Sequence, residues 1–319
     1  MTSSAWPALP YDAWKGTCTT LHLWTQIVGK ARVAQTPWVN HQWHVVLYVT
    51  PRGLTTSPIP YEDRSFEIEF DLRDHGLDIR SSDGGARRLP LTGGGSVADF
   101  YGAVLAALAE LGFHVRIHGT PNEIPDAIPF REDRTERVYE PEKAQRFHQV
   151  LVQVDRVFKQ FRTGFLGKVS PVQFFWGSFD LAVTRFSGRA APPHPGGVPG
   201  LPDAITREAY SHEVSSAGFW PGGGAIDYPA FYSYAYPEPA GFRQATVRPD
   251  AAFFLESMGE FILPYDSVRE AQRPDDLLLE FLQSTYEAAA QASGWNREEL
   301  ECEPGRPRVP RPVRPVSAA

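Results

Sequence analysis

The stretch Phe174–Arg189, FFWGSFDLAVTRFSGR, is dense in apolar and aromatic side chains, yet it carries Asp180, Arg185 and Arg189. It reads as a buried strand, with Gly177 and Ser178 bending the chain just ahead. Side chains alternate along an extended chain, so Asp180 and Thr184 share one face while Leu181, Val183 and Arg185 share the other. Asp180 and Arg185 therefore do not pair along one strand face. A buried charge is costly unless it is paired or bound to a ligand, so each needs a partner from elsewhere. Two readings stay open. Either an Asp–Arg network ties strands together, or Arg185 and Arg189 hold a carboxylate or phosphate in bidentate fashion.

Upstream, a helix is expected over Glu142–Thr163, with Phe147, Leu151, Val154, Phe158 and Phe161 as its apolar seam. Downstream, strands are expected at Ser211–Phe219, Phe231–Tyr236 and Glu260–Leu263. A closing helix follows over Asp275–Ala292, with Pro274 at its start. The earlier part of the chain repeats this order. A helix over Thr17–Ala34 leads into a strand in WVNHQWHVVLYVT, where Trp43, Val45, Leu47 and Val49 share a face. SFEIEFDL then alternates cleanly, with Phe66, Ile68 and Phe70 inward and Glu67, Glu69 and Asp71 outward, and it turns through DHG into LDIRSS as a hairpin. A helix capped by Ser96 and a strand in FHVRIHG complete that half.

The fold class is therefore α+β: two mixed sheet-and-helix halves packed as one compact unit, with a degenerate internal duplication as one possible origin. The boundaries are residues 1–120 for the first half, a Pro-rich and charged linker at 121–141, and 142–295 for the second half. A Pro/Arg-rich tail without structure of its own is expected over 296–319. If the halves are related, their sheets meet across a cleft suited to a ligand.

Composition narrows the function. In 319 residues, 42% hydrophobic and 22% charged, a sizeable core is expected. The net charge of −7 argues against nucleic-acid or anionic-membrane partners, which call for a basic footprint. Cys18 and Cys302, far apart, make neither a disulfide framework nor a zinc knuckle. With no signal-peptide pattern and no transmembrane run, a cytoplasmic protein is expected. GFLGKVS lacks phosphate-loop spacing, TGGGSVADF reads as a helix cap, and no G-x-S-x-G elbow occurs. No motif identifies a cofactor, and the oligomeric state stays open.

Four clusters carry candidate chemistry. His44, beside Trp43 in NHQWH, is a packed imidazole or a base. His41 and His44 diverge on a strand, so they make no metal pair. In EAYSHEVSSAGFWPGGG, His212 and Glu213 point to opposite faces, and one of them can serve as base; GFWPGGG reads as a tight turn. In FYSYAYPEP, Tyr232, Tyr234 and Tyr236 share one face with Glu238 in register, as an aromatic wall ending in a carboxylate. Asp180, Arg185 and Arg189 are the fourth cluster.

At NHQWH, GKVSPVQFFWGSFDLAVTRFSGR, AYSHEVSSAGFWPGG, FYSYAYPEP and GEFILPY the sequence resembles a bacterial family described as a domain of unknown function, over nearly the whole chain up to about Trp295. The resemblance implies a single intact unit and carries no activity. The expected function is an enzyme acting on a small anionic or polar organic molecule. Its catalytic candidates are His44, His212, Glu213 and Asp180. Its ligand-binding candidates are Arg185, Arg189, Trp43, Tyr236 and Glu238, with no metal. A non-catalytic small-ligand binder and a structural protein with a buried ion-pair network are the alternatives.

Overall fold

Trp14 shows why the first helix is longer than its polar start suggests. Its ring stacks on Phe147 at 4.9 Å, and its Nε1 donates to the Pro221 carbonyl at 3.2 Å. That anchoring starts α1 at Tyr11 rather than Thr17, and it runs to Gln35. The computed structural model describes residues 5–198, 200–224 and 226–312. Within them α1 is buried almost all round, Thr17, Gln26 and Lys30 included, which places it inside the molecule rather than on its surface.

The first sheet follows, built of β1 (Tyr48–Val49), β2 (Gly53–Thr55), β3 (Ile59–Tyr61), β4 (Arg64–Asp71), β5 (Gly76–Ser81) and β6 (Ala86–Pro90). It is antiparallel in the order β1-β2-β4-β5-β6, with β3 also on β4. Phe66, Ile68 and Phe70 are buried in the core as the alternation requires. Helix α2 (Val97–Glu110) opens on a capping box: Ser96 Oγ accepts from the Asp99 N–H, and the Asp99 carboxylate accepts from the Ser96 N–H at 2.9 Å.

Helix α3 (Pro141–Arg162) buries the expected seam, with Phe147, Leu151, Val154 and Phe158 wholly enclosed. The second sheet contains β7 (Gln173–Phe175), β8 (Asp180–Ala190), β9 (His212–Trp220), β10 (Ala230–Tyr236), β11 (Phe253–Leu255) and β12 (Glu260–Pro264), with α4 (Asp203–Ala209) between β8 and β9. It is antiparallel in the order β11-β12-β10-β9-β8-β7. Helices α5 (Tyr265–Arg269) and α6 (Pro274–Ala292) follow. The fold is thus α+β, and a single apolar core takes in Ile27, Phe70 and Val104 as well as Phe158, Phe219 and Phe281. The halves touch where each begins its sheet. Leu47 and Phe174 exchange both backbone hydrogen bonds, at 2.9 and 2.8 Å, in an antiparallel bridge.

Four expectations are corrected. WVNHQWHVVLYVT is strand only at Tyr48–Val49. Asn40–Gln42 forms a 3-10 turn with His41 and Gln42 at φ of 57° and 60°. Contacts with α4 hold that turn: the His41 N–H donates to Glu208 at 2.9 Å, and Gln42 Nε2 donates to the Ile205 carbonyl at 2.9 Å. FHVRIHG forms no strand. Phe113 and Val115 are buried in alternation, but among the described residues no strand pairs with the segment. GFWPGGG is not all turn, because β9 continues through Trp220. Finally, residues from 296 onward are not wholly without structure. Arg297–Leu300 forms a helical turn, α7; Leu166 N–H donates to the Leu300 carbonyl at 2.7 Å, and Gly305 N–H donates to Thr163 Oγ1 at 2.8 Å. Residues 313–319 of the expected tail lie outside the described residues.

Candidate functional site

The two faces of the second sheet differ in kind. Leu181 and Val183 of β8, Phe219 of β9 and Phe231 of β10 are buried in the main core with α3 and α6. The opposite face carries Asp180, Thr184, Ser216, Tyr232, Tyr234 and Glu260 from four adjacent strands. That polar face is not left to water. Glu123, His41, Trp43 and Tyr210 close over it, leaving a cavity of about 270 Å³.

Two glycines make the geometry possible. Gly218 lies directly opposite Tyr232 in the β9–β10 register, and a Cβ there would come within 2.3 Å of the phenol. With hydrogen in that place, the Tyr232 ring lies over the β9 backbone and its hydroxyl donates to the Asp180 carboxylate. A Cβ at Gly177 would meet a Glu123 carboxylate oxygen at 2.2 Å, so glycine lets the Glu123 side chain descend beside the turn that precedes β8. Ser178 in that turn donates to the other Asp180 oxygen. Around the carboxyls runs a belt of hydroxyls. Thr184 and Ser216 are 2.8 Å apart, as are the phenol oxygens of Tyr210 and Tyr234. Trp220 lies on Tyr232 with ring centroids 4.4 Å apart.

No ion pair to Asp180, Glu123 or Glu260 forms among the described residues, and this decides their protonation. Burial drives the Asp180 carboxyl up to about 6, against the pull of the Ser178 and Tyr232 hydroxyls. Burial, then the nearby Asp180 charge, raises Glu123 to about 7 and Glu260 to about 8. One Glu260 oxygen is buried with no hydrogen-bond partner among the described residues. The three carboxyls titrate as a coupled group. At neutral pH the negative charge sits on Asp180, which has two hydroxyl donors, while Glu260 keeps its proton. An acid and a base thus face one cavity.

Of the residues singled out in the sequence, Asp180, Trp43, Tyr232 and Tyr234 line this cavity. Tyr236 stands beside it, its ring 5.1 Å from that of Tyr210 and its hydroxyl on the Pro192 carbonyl at 2.9 Å. His44 is buried, with Nδ1 against Val39 N–H at 3.2 Å, and it faces a separate cavity. His212 approaches His41 edge-on at 5.5 Å and bonds Ser211. Arg185 lies on the opposite sheet face, as the alternation requires. It donates to the Phe161 carbonyl at 2.6 Å and stacks on Phe161 and Tyr286. Arg189 pairs with Glu213 at 2.7 Å and donates to the Ser293 carbonyl at 2.6 Å, tying β8 and β9 to the end of α6. Glu238 is held by Arg243 at 2.6 Å. Arg185 and Arg189 therefore do not converge on Asp180.

The sequence reading passed over Glu123, Glu260 and Tyr210. Glu123 sits in the presumed linker, and Glu260 merely opens a strand; neither is marked until the strand register brings Glu260 beside β10. Tyr232 and Tyr234 were marked by their alternation. Among the described residues no group of three or more His, Cys, Asp or Glu side chains is placed to hold a metal ion. No helix among them is long and apolar enough to cross a membrane.

The chain belongs to the family of unknown function DUF5996, which matches residues 6–302. No curated protein and no solved structure matches it.

Proposed function

We propose that the chain is an enzyme that works by general acid–base catalysis on a small polar molecule, and that the molecule enters the carboxyl–phenol cavity above Asp180. The observation that carries this reading is that buried Asp180 and part-buried Glu123 and Glu260 line one cavity with no cationic partner among the described residues. A protein does not bury such groups together for stability, because each resists ionisation and none supplies a countercharge. Asp180 is the base, Glu260 the acid, and Glu123, near neutrality, is the group that changes state during the reaction. The aromatic walls of Trp43, Trp220 and the tyrosines favour the flat or apolar face of a polyol, or an ammonium group. The negative charge on Asp180 disfavours anionic compounds, so a neutral or cationic polar ligand fits better than an anionic one. The one histidine among the lining residues, His41, has its ring on the Ala209 carbonyl and Lys168 and not on a carboxylate, so the acid–base work falls to the carboxyls. The setting is the cytoplasm, in keeping with two unpaired cysteines, and the net charge of −7 leaves nucleic acid out of the reading.

A thermal-shift screen of small polyols, amino sugars and amines at neutral pH tests it. Compounds of these classes should raise the melting temperature of the wild type and not of Asp180→Asn. Hits confined to dicarboxylates and phosphates, with the response intact in Asp180→Asn, would overturn it. Proton NMR of each hit after prolonged incubation separates enzyme from binder: new product signals support catalysis, and an unchanged spectrum supports a binding protein.

A further inference from the structure

Lys30 is the residue that the carboxyl cavity does not explain. It sits on α1 and is only 6% exposed. The other lysines have charged or imidazole neighbours. Lys15 pairs with Asp12, Lys143 with Glu140 and Lys159 with Asp155, while Lys168 lies 2.6 Å from His41. Lys30 has no carboxylate within ion-pair distance among the described residues. Its Nζ donates to Asn122 Oδ1 and stands 5.6 Å from the Trp176 ring centroid. Holding Asn122 does not account for it. Gln26 already fixes that residue from both sides, donating to the Asn122 carbonyl at 2.8 Å and accepting from its N–H at 2.7 Å.

The same lysine lines a second cavity, of about 620 Å³, whose walls are mainly apolar and include Trp38, Trp176 and Ile205. A buried ammonium without a counterion is expensive, and burial brings Lys30 down to about 8. An appreciable share of the side chain is then a free amine at neutral pH, and a free amine in a mainly apolar cavity is a nucleophile. His44 lines the same cavity, and its burial keeps it neutral. Its Nδ1 lies against both the N–H and the carbonyl of Val39, at 3.2 and 3.3 Å, so the ring is anchored on that side. Glu123 stands in the wall shared with the carboxyl cavity and holds a proton near neutrality.

We infer that Lys30 condenses with the carbonyl group of a small aromatic aldehyde taken into the cavity between α1, Trp38 and Trp176. The Nζ lone pair attacks the carbonyl carbon and a C–N bond forms. The nitrogen gives up both its hydrogens as the carbonyl oxygen takes up two and leaves as water, and the product is an imine. No oxidant or reductant is needed. His44 and Glu123 are the groups placed to carry the protons.

The test uses the full chain, benzaldehyde as probe and cyanoborohydride to trap the imine as a benzyl amine, followed by peptide mapping. At neutral pH Lys30 should carry at least about tenfold more adduct than Lys15 or Lys159, although both of those are far more exposed. That preference should vanish in denaturant, where the cavity is gone. Labelling that follows exposure, with Lys30 unmodified, would overturn the inference, and so would a Lys30 preference that persists in denaturant. Both measurements use the wild-type sequence. Lys30→Met should lose the adduct at this position and leave labelling of Lys15 and Lys159 unchanged.

Discussion

Both sheets turn one face to the shared core and bury carboxylates on the other, and they treat those carboxylates in opposite ways. In the first sheet Asp71 is 1% exposed and is met by Arg52 at 2.7 Å and Arg88 at 3.3 Å. Arg88 also reaches Asp78 at 2.8 Å, and Arg80 reaches Glu69 at 3.0 Å. In the second sheet Asp180, Glu260 and the overlying Glu123 meet no arginine or lysine in ion-pair contact among the described residues. Proton affinity records the difference. Burial pushes the Asp71 carboxyl up, but the N–H groups of Asp74 and Arg73 and the Arg52 guanidinium outweigh it and hold it at about 2. Asp180, without a guanidinium, stands at about 6. A carboxylate closed off by arginines is a fastener between strands. One buried without them carries a cost, and that cost is the ground for the function proposed above.

The largest effect expected from this contrast is in the first sheet. Asp71→Ala leaves Arg52, Arg88 and two backbone N–H groups without their acceptor, and it should cost about 2–4 kcal/mol in urea unfolding at neutral pH. The lower part of that range allows for the half-exposed arginines, which water screens. A loss below about 1 kcal/mol would place the network among ordinary surface pairs and erase the comparison.

Asp180→Asn should act with the opposite sign. The folded chain binds the Asp180 proton up to about pH 6, whereas an unfolded aspartate releases it near 3.9. The stability that this group contributes is complete below about pH 4 and is lost as pH rises through 6. Asp71 runs the other way: its contribution is present above about pH 4 and is lost as pH falls through 2. Removing the Asp180 charge should therefore stabilise the protein at pH 8 by about 1–2 kcal/mol, part of the gain being offset by burying an amide. At pH 4, where Asp180 of the wild type is itself neutral in the fold, the cost of burying the amide remains and the variant should be the less stable by about 1 kcal/mol. Glu123→Gln and Glu260→Gln should shift the same profile toward higher pH, following about 7 and about 8. A loss from Asp180→Asn as large as that from Asp71→Ala would make Asp180 a fastener too and remove the ground for an active site.

The same contrast shows what is legible in a sequence. Alternation placed Phe66, Ile68 and Phe70 inward and set Asp180 and Arg185 on opposite faces, because a strand's period of two is a local property. It marked Tyr232 and Tyr234 for the same reason. Alternation alone misled at FHVRIHG, where burial alternates but a ladder partner is missing, and at NHQWH, where contacts with α4 hold His41 and Gln42 in left-handed backbone. The composition of the cavity was out of reach. Glu123 and Glu260 are far apart in sequence, and only strand register and loop path bring them over Asp180. The arginines that quench the first sheet stand in plain view in neighbouring strands, at Arg80 and Arg88. Their absence opposite Asp180 becomes meaningful only when β9 and β10 are known to be its neighbours.

The smallest effect separates Arg185 from both carboxylate systems. Its guanidinium is buried, lies against Phe161, Phe165 and Tyr286, and donates to the Phe161 carbonyl and to Gln283 at 3.3 Å, with no carboxylate in ion-pair contact among the described residues. Methionine has a comparable reach and suits an aromatic pocket. Arg185→Met therefore loses one good hydrogen bond at the end of α3 and the ring stacking, while it relieves the burial of a charge that burial already brings down to about 10. The net loss should be about 1 kcal/mol. Because Asp180 lies on the other face of β8, adding Asp180→Asn should neither rescue nor deepen it, and the double variant should equal the sum of the singles within about 0.5 kcal/mol. A loss of 3–5 kcal/mol that Asp180→Asn restores would mean that the two charges communicate through the sheet. Asp180 would then belong with Asp71 among the fasteners, and the cavity above it would need another explanation.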